Sequence, residues 1–142
     1  MRIEAYYLPD HRDRPAPVAT VDQARAIVDA LTGLDDFDTS MATLYIRRDD
    51  ETATLVELAV GVDPSRGVGS LQYLAGDSRY FSKGNPSDYE EVVYCHLGHE
   101  RPFPRDSEIP LDHVKDAVAD FAATGGDRPA SVTWQHAAPA ET

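Results

Sequence analysis

Apolar and polar positions alternate most regularly between Val56 and Val62, where Val56, Leu58, Val60 and Val62 are separated by Glu57, Ala59 and Gly61. A period of two marks a strand with one face buried, and the strand is predicted over residues 53–62. Asp63-Pro64-Ser65-Arg66-Gly67 then supplies turn chemistry, because proline fixes φ and glycine permits φ > 0. Leu71 and Tyr73 resume the extended pattern, as do Tyr80 and Phe81 beyond Gly76-Asp77. Residues 52–82 therefore read as a meander with no helix to interrupt it.

The flanking chain adds further strands. Residues 3–8 (IEAYYL) form a first strand, followed by a polar loop punctuated by Pro9, Pro15 and Pro17. Residues 41–48 pair with 53–62 through Asp49-Asp50-Glu51, whose acids Arg47 and Arg48 can offset across the strands. A strand follows at 89–97, then a loop from Gly98 to Asp106, and a short last strand at 131–135 carries Trp134 into the core.

Two segments switch to helical spacing. Thr20-Val21-Asp22-Gln23 has the form of a capping box. Val21, Ala24, Ile27, Val28 and Leu31 follow on one face, with Gly33 as the expected C-terminal cap. A second helix opens at Ile109-Pro110-Leu111 and ends at Gly125-Gly126, with Val114, Ala117, Val118 and Phe121 on its apolar side. Asp112, Asp116 and Asp120 recur at four-residue spacing as a solvated row or a contact for a basic partner. The pattern gives about seven strands in the order β-α-β-β-β-β-β-α-β. The expected fold class is α+β, a mostly antiparallel sheet with two amphipathic helices packed on one face. The expected organisation is one domain over residues 1–136, with 137–142 as a frayed tail.

Charge changes the picture more than length or composition. The chain carries 25 acidic and 13 basic residues, a net −12. Such a field repels phosphates, which argues against direct nucleic-acid binding. It speeds encounter with a basic partner, and it serves solubility equally well. The lone Cys95 excludes an internal disulfide and fits a reducing cytoplasm. The first residues lack the apolar run of a signal peptide, and nothing approaches a membrane span.

Most candidate chemistry fails on its missing parts. Gly67-x-Gly69 is followed by strand, so no helix N-terminus waits for a pyrophosphate, and the glycines read as a corner. The acidic run Asp35-Asp36-Phe37-Asp38 lacks the spacing, glycine and distal glutamate of a calcium loop and reads as a solvated connection. Cys95-His96-x-x-His99 offers zinc ligands, but a structural site would need a second pair, and the other histidines are isolated. Cofactors are therefore expected to be none. What remains is Asp88-Tyr89-Glu90-Glu91, a compact anionic and aromatic patch. Tyrosine gives contact area at small entropic cost and the acids pair with arginine or lysine, although charges also guard ordinary sheet edges.

An ordered series of residues carries a resemblance over nearly the whole chain. It runs through Gly61-Val62-Asp63, Arg66-Gly67-Val68-Gly69, Leu71, Tyr73 and Tyr80-Phe81-Ser82. It continues with Glu91-Val92-Val93-Tyr94, Gly98-His99, Phe103-Pro104 and Ser107-Glu108-Ile109-Pro110-Leu111. Phe121, Thr124-Gly125-Gly126, Arg128-Pro129 and Trp134 close the series. It resembles an actinobacterial Imm-type immunity protein family of polymorphic toxin systems, whose genes usually lie beside those of deaminase-type toxins. The resemblance implies a non-enzymatic α+β domain that binds and neutralises a cognate toxin. A basic deaminase groove would be occupied by charge complementarity, with no nucleic acid or membrane as partner and the chain a monomer or weak homo-oligomer. Contact residues are expected at Asp88, Tyr89, Glu90 and Glu91, with Asp77 and Tyr80 as neighbours. The competing reading is a small metal- or ligand-binding domain or enzyme built from Cys95, His96, His99 and Asp63. A third is self-association through an exposed sheet edge.

Overall fold

The computed structural model describes residues 2–34, 36–48 and 55–137. Its centre is the alternating segment, β4 (Val56–Asp63). β3 (Met41–Arg47) lies on one side of it and β5 (Val68–Ala75) on the other, both antiparallel. Beyond β3 come β1 (Arg2–Tyr6) and β2 (Ala16–Val18); beyond β5 come β6 (Ser78–Ser82) and β10 (Trp134–His136). A two-residue strand, β9 (Ile109–Pro110), also pairs with β5 and completes an eight-stranded sheet. The expected corner is a hairpin turn, with Gly67 at φ 67°.

Val56, Leu58, Val60 and Val62 all join the main core, together with Ile3, Leu44, Leu71 and Tyr73 from neighbouring strands. That face is covered by α1 (Val21–Leu34) and α2 (Leu111–Thr124), whose buried residues include Ile27, Leu31, Val114 and Phe121. The α+β class, the antiparallel sheet and the two helices on one face are thus as expected. No helix among the described residues is long and apolar enough to cross a membrane.

The opposite face is covered too. β7 (Glu91–His96) and β8 (His99–Pro104) form a separate two-stranded sheet. Val92, Tyr94 and Phe103 from it pack on Met41 and Ala59, with Phe81 at the margin. Gly61 lies directly beneath the Tyr94 ring, where a Cβ would come within 2.5–2.7 Å of its carbons. The half-buried alternation of β4 therefore understates its burial, because short residues on the second face make room for a second layer.

Three strands lie outside the expected order. β2 falls in the proline loop, and Pro17 is tolerated because β2 is the edge of the sheet. β8 replaces the loop expected after Gly98. Its Pro102 and Pro104 pair with Val93 and Glu91 on an outer strand, where a missing N–H costs no ladder bond. β9 is too short to register as a period. The β7–β8 connection is Leu97 and Gly98, at φ 53° and 83°, the left-handed pair of a tight hairpin turn. The acidic turn 49–51, and residues 53–54 at the start of the predicted strand, lie outside the described residues. Arg47 is bonded to Glu4 at 3.0 Å and to the Tyr6 hydroxyl. At the other end, His136 belongs to β10 and the Ala137 N–H donates to Arg79 O at 3.0 Å; residues 138–142 are outside the described set.

The helix signals can be checked by substitution. Thr20 Oγ1 accepts from the Gln23 N–H at 3.1 Å, and the Gln23 side chain accepts from the Ala19 N–H at 2.6 Å. Thr20→Ala should lower the unfolding free energy by about 1 kcal/mol in urea titration. Gly33, expected as the cap, lies inside α1, which runs on to Leu34. Nothing stands within 4 Å of a Cβ placed there, so Gly33→Ala should raise the urea midpoint, by about 0.5–1 kcal/mol of stability.

Candidate functional site

Three segments converge at the end of the sheet where β4 turns into β5. The Asp63–Arg66 turn forms one wall of a cleft of about 460 Å³. The 3₁₀ turn at Phe37–Thr39 forms the second, and Tyr89 to Tyr94, leading into β7, the third. Leu31, Val62 and Val92 form an apolar floor, each almost fully buried. At the mouth stand Phe37 and Tyr89, 56% and 60% exposed, the two most exposed large apolar side chains among the described residues. Asp36, Asp63 and Glu91 supply carboxylates.

Each wall is fixed by identifiable bonds. Asp36 accepts from the Asp38 N–H at 3.0 Å and starts the 3₁₀ turn. The Ser40 hydroxyl donates to Phe37 O at 2.8 Å and accepts from the Cys95 N–H at 2.9 Å, tying that turn to β7. Arg66 ties the opposite wall together. Its guanidinium is paired with the buried carboxylate of Glu108, bonds Asp63 at 2.7 Å, and lies 5.3 Å from the centre of the Tyr89 ring. The Glu108 bond holds the arginine firmly protonated. Burial alone would raise the Asp63 carboxyl, but bonds from Ser65 and Arg66 hold it below the usual range.

Behind the cleft, β7 is joined to the main sheet through a buried chain of hydroxyls. Tyr94 Oη and Ser70 Oγ are 3.0 Å apart, Ser107 donates to Ser70 at 2.9 Å, and Ser82 donates to Ser107 O at 2.6 Å. No buried side-chain polar atom among the described residues lacks a partner. Burial pushes the Tyr94 hydroxyl far above its ordinary titration range, so it stays a neutral hydrogen-bonding group.

The expected contact residues divide between two places. Tyr89 and Glu91 line the cleft, and Asp88 and Glu90 are exposed in the bend just before β7. Asp77 and Tyr80 lie elsewhere. β5 is eight residues long, about 25 Å at roughly 3.3 Å per residue, and Asp77 follows its far end. Tyr80 there stacks with Arg128 at 4.2 Å and His136 at 4.4 Å, beside Trp134, in a shallow second depression of about 580 Å³. Asp36 and Phe37 belong to the acidic run that the sequence presents as a solvated connection. An aromatic residue between acids, in a loop too polar to need it, was the available signal.

His96 and His99 face each other across the β7–β8 hairpin, but Cys95 does not join them in a site. Cys95 and His96 are successive strand residues and so point to opposite faces. Burial raises the Cys95 thiol, which disfavours the thiolate that a nucleophile or ligand needs. His96 is a packing residue: its Nε2 lies 3.1 Å from Tyr6 O and 3.2 Å from Thr43 Oγ1. Among the described residues no group of three His, Cys, Asp or Glu side chains is placed to hold a metal.

The same corner is sensitive to acid. Burial lowers the pKa of both His96 and His11. His11 Nδ1 accepts from the N–H groups of Tyr7 and Leu8 at 3.1 and 3.0 Å, which requires it to be unprotonated. Unfolded chains take up these protons near pH 6.5 and the fold resists, so stability should fall as pH drops through about 6.5. Glu57, raised by burial, acts in the opposite sense at lower pH. Urea midpoints at pH 7.5 and 5.5 should therefore differ in the wild type, and differ less in His96→Gln.

No curated protein matches the sequence. A family model described as "Immunity protein Imm1" matches residues 12–136, so the chain belongs to the Imm1 immunity protein family, whose role is toxin neutralisation.

Proposed function

We propose that this immunity protein neutralises its cognate toxin by seating the acidic, aromatic cleft mouth against a basic active-site groove, and that the toxin is of the deaminase type. The observation that carries the reading is the coincidence of Phe37 and Tyr89 with Asp36, Asp63 and Glu91 on one concave surface. Large apolar groups in the open are interface material when acids surround them and the chain is net −12. An enzyme that acts on nucleic acid needs a positive groove, which such a surface complements.

Inhibition in this reading is occupancy, without turnover, by a monomer or weak homo-oligomer in the cytoplasm. Asp88, Tyr89, Glu90 and Glu91 form the contact patch; Asp77 and Tyr80 stand at a distance from it and belong to the flank of the interface or to none. Co-expression with the toxin domain encoded beside the gene tests the proposal. Survival of the cells, with a stoichiometric complex whose affinity falls as salt rises, is the expected result. Cell death despite full expression of the immunity chain would dismiss it.

A further inference from the structure

We propose that the cleft between Phe37 and Tyr89 receives a single arginine side chain from the partner, with Glu91 as its carboxylate acceptor. This rests on the toxin-neutralising reading and specifies what enters the cleft. At about 460 Å³ the space falls in the range of sites that enclose a small ligand, so it suits an inserted side chain. Its floor of Leu31, Val62 and Val92 fits the aliphatic stem of a long residue, whose charged head would remain at the mouth.

Charge selects a cation there. Among the described residues Arg66 is the one basic residue lining the cleft, and Glu108 and Asp63 already compensate it. Both Asp63 oxygens are engaged, one by Ser65 and one by Arg66, and Asp36 gives one of its two oxygens, Oδ1, to the Asp38 N–H. Glu91 makes no side-chain hydrogen bond or ion pair among the described residues and is exposed at the start of β7, so it has a carboxylate to offer. The flanking aromatics favour arginine over lysine. A guanidinium is planar, stacks on ring faces and meets a carboxylate through two parallel bonds, whereas an ammonium ion is a hydrated point charge. Tyr89 already stacks with Arg66 and still leaves most of its side chain in solvent.

The test is a nuclear magnetic resonance titration of the full chain with N-acetyl-arginine-N-methylamide, with the lysine and citrulline analogues in parallel. Saturable shifts at Phe37, Tyr89, Glu91 and Val92 are expected, strongest for arginine and weakest for uncharged citrulline. Glu91→Gln should weaken the arginine analogue at least about tenfold, the loss of one charge-assisted pair. Unsaturable shifts scattered over the acidic surface, equal binding of citrulline, or an unaffected Glu91→Gln would overturn the proposal. A chain that protects cells but gives that result keeps its toxin-neutralising role and loses the arginine pocket. Arginine seated in the cleft of a chain that protects against no neighbouring toxin upholds the pocket and removes the functional reading.

Discussion

Gly61→Val should destabilise the protein by at least about 1–3 kcal/mol, the usual cost of forcing extra methyl groups into a filled core. Even the first added carbon would lie 2.5–2.7 Å from the Tyr94 ring, and the atoms it meets are at the ring's attachment end. Tyr94 cannot swing away without giving up Ser70 and its contact with Phe103, whose ring centre is 5.2 Å from its own. The hairpin must lift, and with it the cleft wall formed by Tyr89 to Tyr94. Urea denaturation would show the lost stability. Affinity for the toxin, measured well below the denaturation midpoint, should fall with it. A Gly61→Val protein as stable as the wild type would mean that β7–β8 does not press on β4 as described.

The second large effect is expected at the rim. Glu90→Lys combined with Glu91→Lys changes the local charge by four units, on side chains that are both exposed. The fold should be untouched, with an unchanged circular dichroism spectrum and urea midpoint. Toxin affinity should fall by about a hundredfold or more, the cost of placing like charges across an interface that was complementary. Part of the loss should appear as slower association that depends less steeply on salt, because rim charges act chiefly through steering. Unchanged affinity would remove this patch from the interface while leaving the family's neutralising role in place.

The parts legible in the sequence were those with a period. Val56 to Val62 and the two amphipathic helices announced themselves because one face of each meets a continuous core. β8 did not, since His99, Glu100, Arg101 and two prolines make an outer strand look like a loop. Ser70, Ser82 and Ser107 gave no warning either: small polar residues resemble surface until the partner hydroxyls that satisfy them are in view. The candidate site was half visible. Tyr89 and Glu91 lie close together in the chain, but Phe37 reaches the same cleft from a segment some fifty residues earlier. Asp77 and Tyr80 follow the glycine corner closely in sequence, yet β5 carries the chain the length of the sheet away before they occur.

The division of the strands into two sheets has a bearing on how such a protein diversifies. β7 and β8 share no strand-to-strand ladder with the eight-stranded sheet; inward-pointing Val92, Tyr94 and Phe103, and a few bonds at Ser40 and Ser70, hold them in place. The outward positions, including Val93, Glu100 and Pro102, carry none of that anchoring. Mutation can therefore rewrite the outer surface of the hairpin while the scaffold beneath stays constant, and a lineage of these chains can change its adversary without relearning how to fold.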